Sequence, residues 1–198
     1  MSIGIESVDR LRLDEAFTGK MVHLPLADCI CVKCDERLLV VDDDETKCSR
    51  FVKEGDDVGK ALMVINEKKR EIVLLSIDNK LLTGIQGGIA DCAIFDDKQF
   101  RFVEFKTNAE GKSTRAIQNT FDKATGQLRN TIQVFKDRLQ TVDIKFEDAV
   151  VLSCHIVLSH NFPRSMATTQ NYQYEFATDT GGIMLSFDSE TYWEEPER

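Results

Sequence analysis

The chain is poor in proline and has no long apolar run. The first shortage argues against domains joined by a proline-rich linker, and the second argues against a membrane-spanning protein. Among 198 residues there are only three prolines, and no repeat or Pro/Ser-rich linker marks a domain boundary. No apolar run approaches the roughly 20 residues that a membrane-spanning helix needs. The first 17 residues have no apolar signal core and carry early acids, which argues against export. We therefore expect a soluble, cytoplasmic protein.

The remaining composition is that of an ordinary globular protein, with 42% hydrophobic and 30% charged residues. A chain of this length is long enough for one well-packed domain. We predict a single domain over residues 1–198, with a core at 84–158 and a β-rich N-terminal extension, 1–83, packed on it.

Six cysteines fit a reducing compartment as free thiols. Cys31 and Cys34 have the C-x-x-C spacing of zinc ligands, but the chain has no second C-x-x-C pair. Buried thiols are the commoner explanation, so we do not expect zinc at Cys31 and Cys34. Cys154 and His155 are neighbours on a predicted strand and point to opposite faces, so they cannot form a nucleophile–base pair.

Charge is distributed unevenly. The chain has a formal net charge of −9, which opposes binding to a phosphate backbone. Residues 98–138, however, contain nine Lys and Arg against four Asp and Glu, a local balance of +5 that leaves −14 for the rest. This basic stretch begins beside the candidate site described below.

Hydrophobic periodicity predicts strands through the first half of the chain. The candidates are residues 28–33, 37–41, 61–65 and 71–77. The second strand closes in an acidic segment, 42–45, which we interpret as a solvated turn. Residues 66–69 read as the turn of a hairpin between the third and fourth strands.

The second half of the chain predicts two strands, a long helix, a buried strand and a final hairpin. The two strands are 89–95 and 100–106, joined by a turn at 96–98. The helix covers about 114–140, where apolar residues recur every three or four positions (Leu128, Ile132, Phe135, Leu139). The buried strand is 149–158, and the final hairpin pairs 172–178 with 183–187 across Gly181-Gly182.

Two carboxylates and an ammonium converge in the segment 84–108. Alternate residues of a strand share a face, so Glu104 and Lys106 point the same way, while Val103 and Phe105 point into the core. If the preceding strand pairs antiparallel through the 96–98 turn, Asp91 lies near Glu104. Such a group is costly unless a cation joins it, and carboxylates, a backbone carbonyl and waters are what Mg²⁺ prefers. Gly87-Gly88, just before Asp91, removes side chains and would allow a substrate backbone to approach.

This pattern, Asp91, twelve residues, then Glu104-Phe105-Lys106, resembles the PD-(D/E)XK phosphodiesterase superfamily, which includes restriction endonucleases. The resemblance covers roughly residues 84–158 and implies an α/β (α+β) fold, with a mixed central sheet flanked by helices, extra N-terminal strands and a C-terminal β-hairpin. It also implies that Asp91, Glu104 and the backbone carbonyl of Phe105 hold Mg²⁺ or Mn²⁺, and that Lys106 assists hydrolysis. The implied activity is a Mg²⁺-dependent endonuclease or exonuclease acting on DNA, or alternatively on RNA. A homodimer or a partner protein, and a role in anti-phage defence or mobile elements, are implied in the same way.

Some members of that superfamily add a glutamine on the helix after the motif. Gln127 and Gln133 are the candidates, and we favour Gln127 because it precedes the apolar stripe. Many members also carry a glutamate on an earlier helix, for which Glu15, in a short helix, and Glu54 are weak options.

Three other interpretations stay open. The chain could be a binding or assembly subunit that keeps the nuclease fold without catalysis, which its acidity and the unplaced upstream glutamate would favour. It could be a zinc-stabilised adaptor. Finally, Glu104 and Lys106 could simply face water on a hairpin, although Phe102, Val103 and Phe105 indicate a buried strand.

Overall fold

The computed structural model describes residues 3–20 and 22–194, which form two β-sheets and a layer of helices. The helices are α1 (Glu6–Arg10), α2 (Leu13–Ala16), α3 (Leu26–Cys29), α4 (Thr114–Gln140), α5 (Phe146–Ala149) and α6 (Met166–Thr180), with a 3₁₀ turn at Val58–Lys60. The strands are β1 (Ile30–Lys33), β2 (Arg37–Asp43), β3 (Cys48–Phe51), β4 (Leu62–Ile65), β5 (Ile72–Ser76), β6 (Cys92–Phe95), β7 (Gln99–Lys106), β8 (Val151–Leu158), β9 (Met184–Ser186) and β10 (Glu190–Tyr192). The fold is therefore mixed α and β, as predicted.

A six-stranded sheet in the order β1-β5-β6-β7-β8-β9 forms the centre of the molecule. Its first four strands are antiparallel neighbours, whereas β7, β8 and β9 run parallel. Parallel neighbours need long crossovers, and α4 supplies the one from β7 to β8, while α6 supplies the one from β8 to β9. Strands β1 and β5, from the N-terminal part, belong to this same sheet; the division into a core and an extension stays a prediction.

The second sheet has the order β10-β4-β2-β3 and packs on one face of the large sheet. Val40 and Val64 from the small sheet share a buried cluster with Leu74 and Ile94 from the large one, together with Trp193. The helices cover the opposite face of the large sheet through a separate apolar cluster. The site described below lies where one end of the large sheet meets both flanking layers.

Helix α4 has the predicted bounds. Ser113 caps its first turn by accepting a hydrogen bond from the Ala116 N–H at 3.2 Å. The predicted apolar stripe is buried against the large sheet. Gly126 does not interrupt the helix, because the i to i+4 pattern continues through it.

The predicted hairpin across residues 66–69 is wrong, because its two strands belong to different sheets. β4 lies in the small sheet and β5 in the large one. The turn between them is held by the buried Asn66 side chain, which donates to the carbonyls of Asp35 and Arg70 and accepts from the Arg70 N–H at 3.0 Å. Periodicity identifies both strands, but it carries no information on their partners.

The predicted C-terminal hairpin is also wrong, because residues 172–178 lie within helix α6. Ser165 caps this helix by accepting from the Thr168 N–H at 3.1 Å, and Gly181 ends it with a φ of 76°. The alternation of aromatic residues over 172–176 imitates a strand, yet only Phe176 is buried. Strand β9 pairs with β8 instead. None of the helices within the described part of the chain is long and apolar enough to cross a membrane.

Candidate functional site

Three strands of the large sheet bring acidic residues to one edge. Because β5, β6 and β7 are antiparallel, the end of β5, the start of β6 and the end of β7 coincide. Asp78 follows β5, Asp91 precedes β6, and Glu104 and Lys106 end β7. The pairing of Cys92 with Val103 sets Asp91 opposite Glu104. The structure therefore places Asp91 and Glu104 side by side, as the sequence predicts.

Asp91 is fixed by the strands on both sides of it. Its Oδ2 atom accepts a hydrogen bond from the Phe105 N–H at 2.6 Å, and its carbonyl accepts from the Ile77 N–H at 2.9 Å. Burial raises the pKa of its carboxyl well above the usual range, and the charge of Glu104 raises it further. An anionic carboxylate at this position is therefore costly without a cation.

Glu104 and Lys106 form an ion pair inside the protein. The Glu104 side chain is only 1% exposed and that of Lys106 15% exposed, and the Lys106 ammonium contacts Glu104 Oε1. Burial raises the pKa of Glu104 to about 7 in spite of the opposing effect of Lys106. Its second oxygen, Oε2, is buried without a hydrogen-bond partner among the described residues. In native structures a buried carboxylate oxygen without a donor usually marks a missing partner, such as an ion or a water.

Gln127 joins α4 to this group. Lys106 Nζ donates to Gln127 Oε1 at 2.9 Å, and Gln127 Nε2 donates to the Ile89 carbonyl at 3.0 Å. Gln133 lies on the exposed surface of the helix and bonds Asp137 instead. Of the two predicted glutamines, the structure brings Gln127 to the site.

The glycine pair before Asp91 lies against α4. Gly88 has a φ of +75°, and a Cβ there would stand 3.1 Å from Cγ of Gln127. Asn130 Nδ2 donates to the Gly88 carbonyl at 2.6 Å. The prediction that the pair clears a path for a substrate backbone is wrong at Gly88, because the side chain of Gln127 takes that space.

Asp42 and Asp78 belong to the same acidic group and were missed as site residues. The charges of both raise the pKa of Glu104, and Asp42 also raises that of Asp91. The interpretation of residues 42–45 as a solvated turn is wrong for Asp42, which lies in β2 and is half-buried. In the sequence, Asp42 directly follows the apolar run 38–41 and Asp78 directly follows Ile77, which is the signal that could have identified them.

The two weak options for an upstream glutamate lie elsewhere. Glu15 forms an exposed ion pair with Arg12 next to α2, and Glu54 is exposed between β3 and the 3₁₀ turn. Neither contacts Asp91, Glu104 or Lys106.

The donor set fits a hard divalent cation that keeps part of its water shell. Within residues 3–20 and 22–194, no three His, Cys, Asp or Glu side chains are grouped closely enough to hold a metal ion alone. Two carboxylates, Asp91 and Glu104, are nevertheless adjacent, and Glu104 Oε2 has no partner in the part of the chain that the structure describes. Mg²⁺ binds proteins in this way, through one or two carboxylates with waters completing its octahedron. The backbone carbonyl of Phe105 is a further donor on the same strand.

The basic residues of 98–138 do not all lie at the site. Lys106 lies in the site, whereas Arg101 is half-buried on the opposite face of β7, where it donates to Ser153 Oγ at 2.9 Å and stacks over Trp193. Lys112 and Arg115 are exposed near the start of α4. Only part of the stretch can therefore face a substrate.

The cysteines are free thiols throughout the described residues. Cys31 and Cys34 are both exposed, while Cys92 and Cys154 are buried. Cys154 packs on the helix side of the large sheet, and the His155 ring faces the other way and contacts the Asp188 carbonyl. They point to opposite faces, as predicted.

No protein-family model matches the chain, and no curated protein or solved structure is significantly similar to it.

Proposed function

We propose that this protein is a metal-dependent nuclease of the restriction-endonuclease type, which hydrolyses phosphodiester bonds of DNA. The observation that carries the proposal is the buried group of Asp91, Glu104, Lys106 and Gln127 at one edge of the large sheet. Burying two acids next to each other costs free energy through desolvation and repulsion. Such groups occur mostly at functional sites, where a ligand or a cation compensates the charge. The order of β6, β7, α4 and β8 around this edge suits the arrangement that the resemblance implies.

Asp91, Glu104 and the Phe105 carbonyl would hold Mg²⁺ or Mn²⁺. When bound, such an ion supplies polarisation of the scissile phosphate and acidification of a water ligand. Lys106 would donate a hydrogen bond to charge developing on the phosphate oxygens or would orient the attacking water. Gln127 holds the Lys106 ammonium by accepting its hydrogen bond, and Asp91 fixes the end of β7 through the Phe105 N–H.

The net charge of −9 suits an enzyme whose delivery to DNA depends on a second protomer or a partner protein. An acidic surface lowers the affinity for a phosphate backbone in solution, so activity would be restrained until the protein is recruited. A role in anti-phage defence or mobile-element biology is consistent with such restraint.

The proposal is tested by cleavage of mixed DNA and RNA substrates in Mg²⁺ or Mn²⁺. We expect cleavage by the wild type, its abolition by EDTA, and a loss of at least 100-fold in both Asp91→Ala and Lys106→Ala. The matched control is Lys112→Ala, which removes an exposed lysine whose partner is the exposed Glu110.

Equal cleavage by the wild type and both site variants would show that the site is wrongly placed. If all the proteins stay inert when the second protomer or a partner is supplied, the nuclease proposal fails and an assembly subunit without catalysis replaces it.

A further inference from the structure

Arg101, on the face of β7 that points away from the candidate metal site, carries a charge that no described acid neutralises. Its Nε donates to Ser153 Oγ at 2.9 Å, another of its nitrogens donates to Thr191 Oγ1, and its guanidinium lies 5.2 Å from the Trp193 ring centre. Among residues 3–20 and 22–194 no carboxylate forms an ion pair with it. Burial lowers the pKa of Arg101 to about 10, so the charge is costly without a counter-ion. Arg70, by contrast, forms an ion pair with an aspartate at 3.0 Å.

The two hydroxyls that hold Arg101 each have an unused hydrogen. Ser153 is half-buried and Thr191 is 8% exposed, and each oxygen accepts a bond from the guanidinium. A hydroxyl also donates one bond of its own, and neither hydrogen has an acceptor in the part of the chain that the structure describes. A guanidinium and two free O–H donors in one place suit the oxygens of an anion.

His155 adds an acceptor to these donors. It lies two residues after Ser153 on the same face of β8, about 6.6 Å along the strand, and the charge of Arg101 lowers its pKa more than that of Asp188 raises it. Its Nε2 contacts the Asp188 carbonyl and must therefore carry the ring proton, which leaves Nδ1 as an acceptor. The ring is 1% exposed, and Nδ1 has no partner among the described residues. Such an atom in a native structure indicates a missing partner.

This part of the sheet face is open to solvent. Met184 pairs with Ser153, and Ser186 pairs with His155, on β9 at the edge of the large sheet. Met184 is 65% exposed and Ser186 is half-buried. The small sheet therefore leaves the area beside the two hydroxyls uncovered, and a small solute can reach them.

We infer that Arg101, Ser153, Thr191 and His155 form a binding site for a protonated phosphate group. The guanidinium and the two hydroxyls donate to phosphate oxygens, and the P–OH group donates to His155 Nδ1. Inorganic phosphate keeps a proton at pH 7, whereas a phosphate monoester, with a second pKa of about 6, has mostly lost its own. Inorganic phosphate is therefore the expected ligand.

The inference goes beyond the proposed function and does not depend on it. A phosphodiester has no P–OH hydrogen for His155, so the DNA backbone is not the ligand of this site. The site also lies on the face of β7 opposite to Glu104 and Lys106, so it can be occupied whether or not a metal ion is bound.

The test uses Trp193, the one tryptophan of the chain, because its ring stacks on Arg101. The full chain is titrated with inorganic phosphate at pH 7 and constant ionic strength, and binding is followed by tryptophan fluorescence and by calorimetry. We expect a saturable change with phosphate. Sulfate and adenosine 5′-monophosphate should bind roughly 10-fold more weakly, because they leave His155 Nδ1 without a donor.

Two variants and a matched control locate the response. Arg101→Gln should abolish saturable binding, and Ser153→Ala, which keeps the charge, should weaken it by about 3- to 10-fold. Arg115→Gln removes an exposed base on α4 and should bind as the wild type does. Melting without phosphate checks that each variant is folded, and Ser153→Ala decides the matter if Arg101→Gln is not.

The absence of both a saturable change and binding heat in the wild type would overturn the inference. Sulfate or the nucleotide binding as tightly as phosphate would contradict a protonated ligand. Unchanged binding in Ser153→Ala and Arg101→Gln would place the anion elsewhere, and a loss in Arg115→Gln would reduce the response to general charge.

Discussion

At the scale of single residues, the position of Lys106 depends on two acceptors of different kinds. Glu104 neutralises its charge, and Gln127 fixes its direction by accepting at 2.9 Å while donating to the Ile89 carbonyl. Because the amide is bonded at both ends and is 9% exposed, it cannot rotate without leaving a buried group unpaired. Gln127 is thus a positioning group for the lysine.

Replacing Gln127 should slow the reaction more than it weakens metal binding. We expect Gln127→Leu to lower the cleavage rate by about 10- to 100-fold, the usual effect of losing a residue that orients a metal-site group, with Mn²⁺ affinity changed much less. Gln133→Leu, on the exposed surface of the same helix, should be neutral. A fall in Mn²⁺ affinity equal to the fall in rate would contradict the positioning role.

His155 gives the protein a stability that depends on pH. Its ring is buried and contacts the Asp188 carbonyl, and burial lowers its pKa from 6.5 to about 4. Since the unfolded chain takes up the proton first, His155 destabilises the folded state as pH falls from about 6.5 towards 4, and its full contribution returns above 6.5.

Urea unfolding of the wild type and His155→Gln at pH 7 and pH 5 measures this contribution. Between these pH values the wild type should lose about 2 kcal/mol more than the variant, at 1.36 kcal/mol per pKa unit. The raised pKa values of Asp91 and Glu104 act in the opposite direction, but they are common to both proteins and cancel in the difference. Equal losses would show that His155 is not buried as a neutral ring.

Local spacing was enough to predict the first part of the site, and tertiary contacts were needed for the rest. Asp91, Glu104 and Lys106 lie on one hairpin, so register alone brings them together. Asp42 comes near them only because the small sheet packs on the large one. The hydrophobic pattern of β2 does not predict which sheet it packs against.

At the scale of elements, two glycines near the site have opposite roles. Gly126 lies inside α4 with no atom within 4 Å of an added Cβ and with an ordinary helical φ, whereas Gly88 has a φ of +75° and faces Gln127. Glycine within a helix costs stability relative to alanine, but at a positive φ it is the favoured residue.

Gly126→Ala should raise the free energy of unfolding by about 0.5–1 kcal/mol. Gly88→Ala should lower it and should also reduce cleavage, because the new methyl group pushes on the side chain that holds Lys106. Thermal unfolding of the two variants gives the comparison. Stabilisation by Gly88→Ala would show that the loop before Asp91 is not held against α4.

Helix α4, which is determined by its own cap and apolar stripe, was predicted well. The pairing of strands, which depends on residues far away in the sequence, was not. Helix α4 has a cap and a continuous apolar stripe, so its bounds follow from the sequence. The β4–β5 connection reads as a hairpin until Asn66 is seen to turn the chain from one sheet to the other. In α6 the alternating aromatic residues over 172–176 favour a strand. The segment forms a helix instead, capped by Ser165 at its start and by Gly181 at its end.

At the scale of the whole molecule, one end of the large sheet carries a buried acidic cluster, Asp91 and Glu104 with Lys106, that folding alone does not explain. The two flanking layers bury Glu104, and one of its oxygens has no donor among the described residues. A ligand that binds only the folded state stabilises it by mass action, so the cost of this arrangement should be recovered when a cation binds.

The most direct test of the metal site is the melting temperature in Mg²⁺ against EDTA, since it needs neither the substrate nor an activating partner. We expect Mg²⁺ at about 100 times its dissociation constant to stabilise the wild type by about 2.7 kcal/mol. The double variant Asp91→Asn, Glu104→Gln should lose most of this gain, whereas Glu71→Gln, on the exposed surface, should keep it. No gain in the wild type, or an equal gain in the double variant, would contradict a metal site formed by Asp91 and Glu104.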